Sequence, residues 1–259
     1  VERRRNQTAP ADPTDVLLPE WQVLTSPSPP TTDEFHAVHV GPPPGYRAGL
    51  QDVVLVDRLR EVVALYGFTR IASLDDEDET GQAIARRAPI STGPPVWLPA
   101  SETRGEGIFI TLPEDRVAIW ELAYDTGTHY GRFQAAHRVW RTNRNLDPNV
   151  APPPVRYILL HTLAHLLINE ISIECGYNAA SISERIYARP HGHPAGATAG
   201  VLLYTAASDS EGTLGGLVGL GRPAELGRLL EQALTRALLC SSDPHCSDHR
   251  PGEQSDDLH

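Results

Sequence analysis

Apolar positions along this 259-residue chain fall into dense blocks separated by proline- and glycine-rich stretches. The densest runs from Tyr157 to Cys175, where apolar residues nearly encircle a helix and Gly176 supplies the stop. That pattern predicts a long buried helix. Val53, Val56, Leu59, Val63 and Tyr66 recur near helical spacing and predict a helix from about Asp52 to Tyr66, ended by Gly67. Ile108-Phe109-Ile110-Thr111-Leu112 is β-branched and aromatic and reads as a buried strand, as does Gly200 to Tyr204. Residues 116–122 are read as strand and Gly131 to Asn143 as a basic helix. A short helix is expected from Ala180 to Tyr187, with Ser181 as N-cap and Glu184 completing a capping box. Pro223 opens a last helix reaching about Leu239. The sum is a mixed α+β fold, with a central long buried helix packed against short strands.

Proline clusters divide the chain. Pro27, Pro29, Pro30, Pro42, Pro43 and Pro44 mark residues 1–50 as an irregular arm. The Pro148 to Pro154 segment reads as a hinge, separating a mixed α/β subdomain at 51–150 from a second one at 151–259. The acidic block Asp75, Asp76, Glu77, Asp78, Glu79 is expected to be a solvated turn, since like charges without a template repel.

Composition narrows the classes. The charge is −11, and every one of the 22 basic residues is arginine. Without a run approaching 18 apolar residues no membrane span is expected, and no secretory signal opens the chain. Three cysteines are too few for a disulfide scaffold. These features predict a cytoplasmic protein with no membrane partner. The absence of methionine, even at position 1, reads as a valine-coded start or a piece cut from something longer.

Four groups of residues could carry chemistry. His161 and His165 stand at i and i+4, and Asn169 continues the row, so the three form one polar stripe. Zinc hydrolases share this histidine spacing but place a glutamate beside the first histidine; here that residue is Thr162. The expected role is a buried structural hydrogen-bond row, with partner or metal binding as the alternative. Cys240 and Cys246 lie close to His245 and His249, and two cysteines with one nearby histidine give three zinc ligands at most, short of the four of a structural site; inert or redox thiols stay open. Gly212 to Gly221 is glycine-rich but lacks the lysine of a nucleotide loop, and reads as a tight turn. Arg132, Arg138, Arg141 and Arg144 form a basic island interleaved with Tyr130, Phe133 and Trp140. Arginine forks hold phosphate and aromatic faces stack on unpaired bases, so nucleic acid stands beside a plain solvated face.

Read in order, the motifs resemble a family. Leu59-Arg60-Glu61-Val62, Gly67-Phe68-Thr69-Arg70, Trp97-Leu98-Pro99-Ala100 and Arg104-Gly105-Glu106-Gly107-Ile108-Phe109 come first. Arg156-Tyr157 leading to His161-Thr162-Leu163-Ala164-His165, Glu174-Cys175-Gly176-Tyr177, Tyr204-Thr205 with Asp209 to Leu217, and Cys240-Ser241-Ser242-Asp243-Pro244 follow. The series, from about residue 50 to 250, is similar to the C-terminal half of the DrmB family of the DISARM anti-phage system. Its latter part resembles the zinc-binding domain of MrfA-type helicases. The resemblance implies a non-catalytic accessory subunit that partners a DrmA-like helicase and engages DNA. It implies Zn2+ at Cys240 and Cys246, with His249 as a possible third ligand. The cysteine-rich segment that follows in the family is not in this sequence, so the site is expected to be half-built.

The leading expectation is therefore a helicase-associated, DNA-engaging module in phage defence. Arg132, Arg138, Arg141 and Arg144 are its phosphate contacts, and Arg104 is a secondary one. A metal-dependent hydrolase built on His161, His165 and a carboxylate such as Glu170 or Glu174 is the alternative. A scaffold that only holds its helicase partner is the third reading.

Overall fold

Residues 108–110 and 201–204 alternate sides: Ile108, Ile110, Val201 and Leu203 turn one way, Phe109, Leu202 and Tyr204 the other. Alternation with both sides apolar marks strands covered on both faces. In the computed structural model these strands lie near the middle of a five-stranded antiparallel sheet. Residues 15–65, 67–68, 88–91, 93, 96–125, 128–144, 146–176, 181–207 and 216–238 are described.

The elements in chain order are helix α1 (Leu17–Leu24), strand β1 (His36–His39) and a 3-10 turn at Pro44–Tyr46. Strand β2 (Asp52–Ala64) and the short pair β3 (Gly67–Phe68) and β4 (Ala88–Pro89) come next, then β5 (Ala100–Thr111). Helices α2 (Glu114–Asp125), α3 (Thr128–Asn143) and α4 (Val155–Cys175) follow. Strands β6 (Ser183–Tyr187) and β7 (Gly200–Ala207) and helices α5 (Gly216–Leu220) and α6 (Pro223–Ala237) complete the fold. The main sheet runs β1-β2-β5-β7-β6, antiparallel throughout. The fold is mixed α+β, as the pattern predicts.

One face of the sheet packs Val53, Ile108, Ile110, Val201 and Leu203 against α4, α5 and α6. Ala164, Leu167, Ile168 and Ile171 form the inner stripe of α4. On α6, Leu226, Leu229, Leu230 and Ala233 repeat at helical spacing and are all buried. The other face is closed by α1: Trp21 meets Phe109 at 5.6 Å and Tyr187 at 5.8 Å, in a three-ring cluster with Leu24 beside it.

Close strand packing explains one glycine of the sequence motif. A Cβ on Gly107 would lie 2.9 Å from the Leu203 carbonyl and 3.1 Å from Tyr204 Cβ, so no larger residue fits between β5 and β7. Gly176, at φ 66°, caps α4 in the left-handed conformation.

Several expected elements differ. Asp52–Ala64 is a strand, not a helix. A bulge between Val56 and Leu59 breaks its period of two and brings both onto the α1 face, which imitates helical spacing. Residues 116–122 lie inside α2 rather than in a strand. The Ser181/Glu184 capping box caps nothing: Ser183–Tyr187 is an edge strand. The arm expected to be irregular supplies α1 and β1, with Leu24 and Leu50 buried. Strands from before and after the Pro148–Pro154 hinge share one sheet, β5 pairing with β7. The acidic block 75–79 lies outside the described residues.

Helix α4 has the length and hydropathy that could cross a bilayer. It carries Arg156, Glu170 and Glu174 and buries eight residues against the sheet and its neighbours, Arg156 and Glu170 among them.

Candidate functional site

Helix α4 brings two polar clusters into the fold, one at its first turn and one midway. Arg156 sits at the first turn with its side chain fully buried. Its Nε and Nη2 donate to both oxygens of Glu121, at 2.8 and 2.5 Å. Nη1 and Nη2 donate to both oxygens of Glu114, at 2.9 and 3.1 Å. Nη1 also donates to the carbonyls of Arg189, at 2.7 Å, and Thr198, at 3.2 Å. Burial alone would lower the pKa of the guanidinium; the two carboxylates outweigh it and hold the group charged. Both carboxylates belong to α2, and both carbonyls to the segment between β6 and β7, so Arg156 ties three parts of the chain together. The motif series includes it, as Arg156-Tyr157, but gave it no role.

Two turns later His161 and His165 project from the outer side of the same helix. The expectation of a buried row is corrected here: His161 is 44% exposed and His165 59% exposed. Asn169 is exposed as well. Their rings meet edge to face, with centroids 4.4 Å apart, and Tyr157 stacks on His161 at 5.9 Å. Glu184 on β6 pairs opposite Leu203 and so faces α4. His161 Nδ1 donates to Glu184 Oε1 at 2.5 Å, and His165 Nε2 stands 3.8 Å from the same oxygen. Glu184 Oε2 is buried and receives no hydrogen bond from the described residues. Glu184 also lines a cavity of about 540 Å³, together with Tyr157, Arg189, His193 and Thr198.

The carboxylates expected to join the histidines do not. Glu170 is buried and pairs with Arg236 of α6, with 2.7 Å between Glu170 Oε1 and Arg236 Nε. Glu174 pairs with Arg228 at 3.0 Å. The carboxylate beside the rings is Glu184, a residue the sequence offered only as a helix cap. A period-two reading of Ser183–Tyr187 could have found it, because that puts Glu184 and Ile186 on the α4 face and Arg185 and Tyr187 on the α1 face. There Arg185 Nη2 donates to Glu20 Oε1 at 2.8 Å and the Tyr187 hydroxyl to Glu20 Oε2 at 3.0 Å.

The basic island is split. Nine residues at about 100° each put Arg132 and Arg141 on opposite sides of α3. Arg132 and Arg138 are exposed. Arg141 is fully buried and its Nε donates to the Asp147 carbonyl, so the expectation that it meets phosphate is corrected. Arg144 lies over the Trp140 ring, 4.5 Å from the centroid. Arg104, on β5, is 66% exposed but pairs with Glu34 at 3.2 Å and Glu102 at 3.0 Å.

Cys240, Cys246 and His249 lie outside the described residues, as do Asp209 to Gly215 of the glycine-rich motif. The one described cysteine, Cys175, is partly buried, and burial together with the Glu174 and Glu106 charges pushes its thiol up. That is the reverse of what a thiolate ligand needs. Of the glycine motif, Leu217 is described, and its N–H donates to the buried Glu106 at 2.9 Å.

Comparison with known proteins bears out the resemblance read from the motifs. Residues 163–250 match a family model described as the MrfA Zn-binding domain. The chain is 34% identical over 223 residues, 86% of its length, to the DISARM protein DrmB of Bacillus paralicheniformis. It spans 38% of that relative's length. Among solved structures, a crystal structure of the DUF1998 helicase MrfA bound to DNA aligns with 86% of this chain and 24% of that one, at a TM-score of 0.38 and 11% identity.

Proposed function

We propose that this chain is a non-catalytic, helicase-associated and DNA-engaging module of a DISARM-type anti-phage defence complex, acting in the cytoplasm beside a DrmA-like helicase subunit. The observation that carries the reading is the 34% identity to DISARM protein DrmB along 86% of the chain, together with a match to the MrfA Zn-binding domain. The zinc of that domain is assigned here to Cys240 and Cys246, with His249 the candidate for a third ligand.

DNA contact is assigned to the exposed arginines of α3. Arg132 and Arg138 are exposed along it, and Arg144 and Trp140 form a stacked pair at its end. A guanidinium holds phosphate and an indole gives an unpaired base a platform, which favours single strands. Arg104 is the weaker contact, because it must first leave Glu34 and Glu102. Arg141 drops out of the set.

The test is a titration of labelled single-stranded DNA at two salt concentrations with the wild type and R132Q/R138Q/R144Q. Three lost phosphate contacts should flatten the log–log salt slope by about 2 units. An unchanged slope and affinity would remove α3 from the interface. Co-purification with a helicase-like subunit tests the partner separately.

A further inference from the structure

We propose that His161, His165 and Glu184 form a divalent-metal site, suited to Zn2+, that clips helix α4 to edge strand β6 and is separate from any cysteine-held zinc. Three observations carry it. One donor atom from each residue lies within 4.8 Å of the other two, without help from any other side chain. The carboxylate keeps its second oxygen, Oε2, buried and without a hydrogen bond from the described residues. A buried carboxylate oxygen left so is costly, and a cation removes the cost. The third is the exposure of both imidazoles, which leaves a coordination position open to water.

The distances fit with a small adjustment. Zinc bonds of about 2.0–2.2 Å in a tetrahedron put ligand atoms roughly 3.3–3.5 Å apart. His165 Nε2 and Glu184 Oε1 are at 3.8 Å, close to that edge. His161 Nδ1 and Glu184 Oε1, at 2.5 Å, share a hydrogen bond that must open by about 1 Å to admit the ion, and Oε2 is available to take over as ligand. Ligation through Nδ1 requires the His161 tautomer that carries its proton on Nε2. Two imidazoles and one carboxylate favour zinc and its late first-row neighbours over magnesium or calcium, which take oxygen donors.

His165 belongs to the matched stretch 163–250, but neither imidazole nor carboxylate can imitate a thiolate in a spectrum. That difference makes the test clean. The full chain is stripped with chelator and titrated with Co2+ while its visible absorption is recorded. The expected result is a d–d spectrum without the sulfur-to-metal charge-transfer band, in a binding step that H165A weakens at least tenfold and E184Q similarly. A cysteine-held ion keeps its charge-transfer band in both variants. Calorimetry with Zn2+ on C240S/C246S should retain one equivalent, again lost in H165A. His165 is exposed, so its alanine variant folds, and far-ultraviolet dichroism checks that it has. A spectrum in which every bound Co2+ carries thiolate, or a step untouched by H165A, overturns the site.

Discussion

The two polar clusters on helix α4 are built from similar chemistry and differ in closure. At the first turn, every nitrogen of the Arg156 guanidinium donates, to Glu114, to Glu121 or to a carbonyl, and the side chain is sealed from solvent. Two turns on, Glu184 spends one oxygen on His161, leaves the other with no donor among the described residues, and faces two half-open imidazoles. A satisfied buried cluster has nothing left to offer a ligand. An unsatisfied one at the surface does. The comparison separates a joint of the fold from a site, on one helix and within ten residues.

If Arg156 is a joint, removing it should be the most damaging single change. Arg156→Met keeps length and apolar bulk but strands two carboxylates of α2, which should cost about 3–5 kcal/mol in urea unfolding. A loss under about 1 kcal/mol would mean that α2 docks without it. Glu121→Gln tests the same joint more gently. The amide retains one acceptor for the guanidinium but loses the charge, and about 1–3 kcal/mol is expected. Glu114 is 34% exposed against 15% for Glu121, so Glu114→Gln should cost less than Glu121→Gln. The reverse order would place the anchor of the joint at Glu114.

The sequence exposes these two clusters unequally. His161 and His165 stood out because their spacing is a motif, and the helix carrying them has the clearest apolar pattern in the chain. Their partner was hidden: Glu184 follows Ser181 by three residues, a helix-start signature, and only pairing with β7 makes it a strand residue facing α4. The role of Arg156 was hidden for a related reason. Its ligands come from residues 114, 121, 189 and 198, and nothing local marks an arginine as buried. The same limit misplaced Arg141, which reads as one of four similar charges and is sealed inside. β2 failed differently, since the bulge after Val56 shifts the apolar period and imitates a helix. Elements whose pattern is local and unbroken, α4, α6 and β7, were legible, and so was the resemblance to DISARM protein DrmB, whose motifs are ordered along the chain.

The smallest expected effect bears on the comparison most directly. Without metal, Glu184→Gln removes a single charge-assisted contact to a histidine that is 44% exposed, so it should shift stability by less than about 1 kcal/mol. His165→Ala, at an exposed ring with no close hydrogen bond to Glu184, should shift it by less still. With Zn2+ in excess the order of stabilities changes. The wild type gains thermal stability in proportion to the logarithm of metal concentration, because the ion binds only the folded clip. Neither variant follows it. Thermal melts of the three proteins over a zinc series therefore read both halves of the argument at once. Equal stability without metal and divergence with it mark a site, whereas a loss of about 3 kcal/mol or more in Glu184→Gln without metal would make this cluster a second joint like the one at Arg156.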